Sequence, residues 1–137
     1  ADGRAAVRRL LRNAGTTEAS IPTEGSGLSA IELDQLLADW YALRSRMHQY
    51  LEDHDVILCP VNAKPAIPHG STDLFDYSYT MTYNLTGWPG VAVRGGTSPE
   101  GLPIGVQVVA APAREDIALA VAAHLEAELG GFEPPPL

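Results

Sequence analysis

The stretch YNLTGWPGVAVRGGTSPEGLPIGVQVVAA, residues 83–111, limits the fold more than any other part of the chain. Two runs in it, 91–93 and 104–111, are apolar almost without interruption, and neither alternates apolar with polar. A strand with water on one face alternates, whereas a strand covered on both faces reads as a continuous apolar run. Both runs are therefore expected to be strands of a central sheet with helices on either side, which makes the class α/β. Residues 87–90, GWPG, are expected to form a tight turn, and RGGTSPEGLP a compact loop between the strands. Pro112 should end the second strand.

Helical periodicity supplies the covering layers. Ser29 and Glu32 form an S-x-x-E capping box, so a helix should begin there. From Leu33 onward, Leu36, Leu37, Trp40, Tyr41, Met47 and Leu51 recur at steps of three and four, one broad stripe on a long helix. Arg44 falls inside that stripe, so its guanidinium must snorkel or meet a carboxylate from outside the segment. An earlier helix is read in ADGRAAVRRLLRNAG, with Val7, Leu10, Leu11 and Ala14 on one face, Arg4, Arg8, Arg9 and Arg12 largely on the other, and Gly15 as the stop. A polar connector, TTEASIPTEGSG, joins the two.

DVILCP, residues 55–60, is a short apolar run ended by proline and reads as a buried strand. The prolines of VNAKPAIPHG exclude regular structure after it. A short helix is expected around LFDYSYTMTYNL. REDIALAVAAHLEAEL should be a helix with Ile117, Val121, Leu125 and Leu129 on one face and acids in its first turn. Residues 130–137 are expected to be a loose tail.

A chain of 137 residues suits one core, so residues 1–137 are expected to be a single domain or a fragment of one. The net charge of −8 argues against a nucleic-acid or anionic-membrane binder. A single cysteine, Cys59, excludes an internal disulfide framework and fits a reducing, cytoplasmic setting. No apolar run approaches the roughly 18 residues that span a bilayer. His48, His54, His69 and His124 show no metal-ligand spacing with Cys59 or with one another, so neither metal nor cofactor is expected. The chain opens on Ala1 in what already reads as a helix, as a piece of something longer would. Two or three doubly covered strands with few helices also leave a sheet with a raw edge, through which the chain should be completed or self-associate.

Individual reactive residues are better explained by packing. Cys59 beside His54 or His69 is conceivable as a nucleophile–base pair, but a buried, small, apolar cysteine is the commoner case. RGGTSPEG lacks both the Walker pattern and the G-x-G-x-x-G spacing of phosphate loops. Gln107, alone in an apolar strand, must find partners for its amide, and pinning a neighbouring loop is the expected role. No pair of acids has a spacing that argues for general acid–base work.

The order of YTMTYNLTGWPGVAV, a loop, GLPIGVQVVA and REDIALAVAAHLE resembles the C-terminal part of the amidase signature family. ADGRAAVRRLL and LEDHDVILCPVNAKPAIPHG resemble the preceding segments. The resemblance implies a large mixed sheet between helices, here incomplete, and hydrolysis of amides through a Ser, cis-Ser, Lys triad. Lys, through the bridging Ser, draws the proton from the nucleophilic Ser; an acyl-enzyme forms over a backbone oxyanion hole, ammonia or an amine leaves, and water releases the acid. The family's lysine and its glycine- and serine-rich nucleophile segment lie upstream of the matched part. Lys64 sits in a loop unlike the catalytic one, and Gly95-Gly96-Thr97-Ser98 occupies a different place from the nucleophile motif.

No catalytic residue therefore carries over. The chain alone is expected to be inactive and to supply sheet scaffold and some pocket wall, with the missing N-terminal part as partner and a small-molecule amide as the substrate of the whole. Tyr79, Met81, Thr82 and Trp88, with the loop after Cys59, are the expected substrate contacts, because loops at strand ends line clefts in α/β sheets. One rival expectation is a non-catalytic assembly or binding module that completes an amidotransferase-like partner. Another is an independent hydrolase built on Cys59 or Ser98.

Overall fold

The computed structural model describes residues 2–16, 25–71 and 73–134. Most of the polar connector and the end of the tail lie outside them. Contacts divide the chain into two units, Ala1–Ser45 and Arg46–Leu137.

In the first unit, α1 spans Ala5–Asn13. The Asp2 carboxylate accepts the N–H groups of Arg4 at 3.0 Å and Ala6 at 2.9 Å, covering amides that no preceding turn can satisfy. Gly15, at φ 69°, stops the helix as expected: its N–H reaches the Arg12 carbonyl and that of Thr16 the Leu11 carbonyl. α2, Ala30–Tyr50, begins where the capping box places it, and its residues from Arg46 onward belong to the second unit. Glu32 donates its N–H to Ser29 Oγ at 3.2 Å, while Ser29 donates its N–H to Glu32 Oε2 at 2.8 Å. Arg44 sets its guanidinium carbon 4.9 Å from the centre of the Trp40 ring, one turn back, so the charge in the apolar stripe rests on an aromatic face. The stripe itself is no core face, for α2 buries no residue and Leu36, Leu37 and Tyr41 are exposed.

The second unit contains β1 (Val56–Pro60), a 3-10 turn (Leu74–Tyr77) leading into α3 (Ser78–Thr86), β2 (Gly90–Thr97), β3 (Pro103–Ala110) and α4 (Glu115–Glu128). β3 lies between β1 and β2 and is antiparallel to both. The register sets Cys59 opposite Gln107 and Gln107 opposite Ala92. The apolar runs 91–93 and 104–111 are thus neighbours in one sheet, within an α/β fold.

Three features differ from expectation. First, β2 continues to Thr97, so Gly95 and Gly96 belong to the strand, with a bulge between Arg94 and Gly96. A Cβ on Gly95 would stand 2.5 Å from Val106 Cγ2, so this glycine serves close approach and not a turn. The loop proper is the short segment 98–102, closed by Ser98 N–H to the Leu102 carbonyl at 2.8 Å. Second, double coverage is confined to residues 107–110 of β3; Ile104 is exposed, and so is Leu58 of β1. Third, α4 meets β2 and β3 through alanines. The buried apolar residues are Trp88, Val108, Val109 and Ala110 with Ala118 and Ala122 of α4, and such small residues let the helix axis come close to the sheet. Ile117, Val121 and Leu125 flank that contact half-buried, and Leu129 is exposed. No described helix is long and apolar enough to cross a membrane.

Candidate functional site

The end of β1 and the start of α3 meet over the middle of β3. Gln107, buried there, donates from Nε2 to the Pro60 carbonyl at 3.1 Å and to the Tyr79 carbonyl at 2.9 Å. The lone polar residue of the apolar strand thus pins the helix and the strand end that precedes the proline-rich loop, the role its sequence context gave it.

Of the expected substrate contacts, Tyr79, Met81 and Thr82 share one turn of α3, the first two exposed and the third half-buried. Trp88 does not join them. It is buried in the turn after α3, edge-on to His48 with ring centres 6.3 Å apart. The turn is as tight as expected: Gly87, at φ 73°, and Trp88 both send their N–H to the Tyr83 carbonyl, at 2.8 and 3.1 Å.

Cys59 meets a phenol and not an imidazole. Its Sγ lies 3.8 Å from Tyr83 Oη, and Tyr83 is pushed up to about 12 by burial first and by contact with Cys59 second. At neutral pH that phenol keeps its proton and offers no base. His54 is engaged elsewhere, stacked on Tyr50 at 4.3 Å with Nδ1 2.8 Å from the Tyr50 carbonyl. Ser98, the other candidate nucleophile, is a turn anchor: its buried Oγ accepts the N–H groups of Glu100 and Leu102, each at 3.3 Å. Among the described residues no three His, Cys, Asp or Glu side chains converge as metal ligands.

One charged arrangement was not anticipated. Asp76, only 2% exposed, accepts Lys64 Nζ at 3.0 Å and the Asp73 N–H at 2.8 Å. The Asp73 amide first, and Lys64 second, hold its carboxyl below the usual range. Asp73 in turn accepts the Phe75 N–H at 3.0 Å, closing a capping box around the 3-10 turn. The D-x-x-D spacing was the available signal for the box, but nothing local to it names Lys64 as the partner.

Two clefts open on this unit. One, of 380 Å³, lies between the loop after β1 and strands β2 and β3; the other, of 610 Å³, lies between the β2–β3 hairpin and residues 132–134. Arg94 lines both. Its Nη2 donates to Thr97 Oγ1 at 2.7 Å and pairs with Glu133 at 2.8 Å.

The described polar groups of this α/β unit brace loops and cap turns, and none is an activated nucleophile beside a base. The family model described as Amidase matches residues 14–119, and the chain belongs to the amidase family. That span takes in β1, α3, the GWPG turn, both long strands and the start of α4. Over 118 residues the chain is 32% identical to fatty-acid amide hydrolase 2-A of Danio rerio, covering 80% of this chain and 22% of the relative. Over 88 residues it is 34% identical to a glutamyl-tRNA(Gln) amidotransferase subunit from Mesorhizobium japonicum, covering 58% and 17%. Among solved structures, an amidase superposes with a TM-score of 0.68 at 30% identity, over 75% of this chain and 26% of that one. A 6-aminohexanoate cyclic dimer hydrolase, at 22% identity, shares the fold with a TM-score of 0.70 over 90% of this chain and 31% of its own. The chain spans about a fifth of the length of these curated relatives.

Proposed function

We propose that this chain supplies the C-terminal portion of an amidase that hydrolyses a carboxylic amide to an acid and ammonia or an amine, and that the Ser, cis-Ser and Lys of the triad lie on polypeptide outside these 137 residues. The observation that carries the reading is one of coverage: the amidase model takes residues 14–119, yet the chain accounts for only 22% of a hydrolase to which it is 32% identical. Surface chemistry supports it. Leu58, at 52% exposure on an outer strand, and the apolar stripe of α2 are costly to leave in water, at roughly 25 cal/mol per Å² of apolar surface.

In this reading the sheet is the scaffold and the first turn of α3 is pocket wall. Tyr79, Met81 and Thr82 face the amide substrate, while Trp88 braces the turn behind them. Gln107 holds that wall against the loop after Cys59. The protein acts in the cytoplasm, where Cys59 stays reduced, and without its complement it self-associates through the open edge of the sheet.

The test is complementation. The N-terminal region of a family amidase, with its two serines and its lysine, is purified with and without this chain, and ammonia release is followed on a panel of small amides. Only the mixture should hydrolyse them, and Tyr79→Ala or Met81→Ala should raise KM more than they lower kcat. A stable complex without activity, or ammonia release by this chain alone, defeats the reading. A chain that sediments as a closed oligomer and activates nothing is instead an assembly module.

A further inference from the structure

The 380 Å³ cleft has a lining of unusual sign. Ala92 and Val93 of β2 and Ile104 of β3 give it apolar walls, and its polar side chains are those of Asn62, Lys64 and Arg94. All three offer N–H donors, and no carboxylate lines the cleft, in a chain whose net charge is −8. A volume of that size falls in the range of small-molecule sites.

Arg94 is the group best placed to choose a ligand. Its side chain is only 20% exposed, and Nη2 is fixed by Thr97 Oγ1 at 2.7 Å. The guanidinium is thus held in one orientation by a short hydrogen bond, while its Nε and Nη1 hydrogens make no bond to the described residues. Both forks of a guanidinium include Nη2, so a carboxylate that takes the Nη2 hydrogen now facing Glu133 gains a two-bond contact together with Nε or Nη1. One carboxylate is already on it: Glu133, 2.8 Å from Nη2 but itself 67% exposed. An exposed ion pair of this kind is weak and exchangeable. Lys64 differs, because its ammonium is committed to the buried Asp76.

We propose that this cleft is a binding site for a small organic acid with an apolar body. The carboxylate sits on Arg94, in competition with Glu133, and the hydrocarbon lies along Ala92, Val93 and Ile104. The site shares the loop after Cys59 with the pocket wall proposed above but needs neither the complement nor hydrolysis, so its test is separate from that of the amidase reading.

The probe is pentanoate, titrated into the isotope-labelled full chain and followed by amide NMR, with pentanamide as the uncharged isostere. Pentanoate should give saturable shifts at Asn62, Ala92, Arg94 and Gly105, and pentanamide should bind at least about tenfold more weakly, the difference a charge-assisted pair makes. Arg94→Gln should weaken pentanoate by about tenfold on the same grounds. Glu133→Gln, at an exposed position, removes the competitor and should tighten binding. Should Arg94→Gln lose the native spectrum, Ala92→Leu, on the exposed face of β2, fills the cleft with the charges intact and should abolish the shifts. Absence of saturable shifts with pentanoate, equal affinity for pentanamide, or weaker binding in Glu133→Gln overturns the proposal.

Discussion

The carboxamide of Gln107 donates to the carbonyl of Tyr79 at 2.9 Å, joining the middle of the central strand to a helix 28 residues earlier in the chain. Its second bond, to Pro60, fixes the end of β1 with the same nitrogen. Gln107→Met keeps the length of the side chain and removes both bonds, leaving two carbonyls without their donor. A loss of about 1–3 kcal/mol is expected, the cost of orphaned polar groups. Urea unfolding measures it, and hydrogen exchange should quicken first in α3. Unchanged stability would mean that water replaces the amide at no cost.

The Lys64–Asp76 pair makes stability depend on acid. The Asp76 carboxyl is held below its ordinary value by the Asp73 amide and then by Lys64, so its contribution is complete above the unfolded pKa, about 4. It is lost as pH falls through the lower, folded value. Melting temperatures recorded from pH 6 downward should therefore fall more steeply for the native chain than for Asp76→Asn, which is less stable at pH 6 and has no proton to gain. Parallel curves for the two would remove Asp76 as the source.

Adjacent glycines in β2 should answer differently to one added carbon. A Cβ on Gly95 would meet Val106 Cγ2 at 2.5 Å, whereas one on Gly96 meets nothing within 4 Å. Gly95→Ala should cost about 1–3 kcal/mol, as overpacking does. Gly96→Ala should be neutral or slightly stabilising, because it restricts the unfolded chain. Chemical denaturation of the two variants side by side is the check, and equal losses would refute the close approach.

Local signals were the legible ones. The start of α2 at Ser29 and Glu32, the stop at Gly15, the tight turn at 87–90 and the neighbouring strands were readable because each is set by residues within a few positions of one another. The end of β2 is not readable in this way, because glycine marks turns and close packing alike, and only the position of Val106 tells which. The face of α4 misleads because periodicity favours its largest apolar residues for the contact, when the distance to the sheet favours Ala118 and Ala122. Lys64 and Asp76 lie twelve residues apart across a proline-rich loop, beyond any periodicity that could pair them. Chain order puts Tyr79, Met81 and Thr82 on one short helix, whereas the burial of Trp88, edge-on to the distant His48, has no local signal in the sequence.

The apolar stripe of α2 yields the last prediction. Leu36 is 55% exposed and α2 buries nothing, so Leu36→Lys exchanges one strong helix former for another on an open surface. In the chain by itself the change should stay within about 0.5 kcal/mol, as for other surface substitutions. Ala118→Leu, in the core between α4 and the sheet, should instead cost about 1–3 kcal/mol. If the proposed N-terminal complement covers α2, the order reverses in the reconstituted enzyme: Leu36→Lys now places a charge in an apolar interface and weakens complementation, although the isolated chain never registered it. Thermal melts of the chain and titration of activity against the complement separate the two states. A Leu36→Lys chain that complements as well as the native one would place the docking surface elsewhere than on α2.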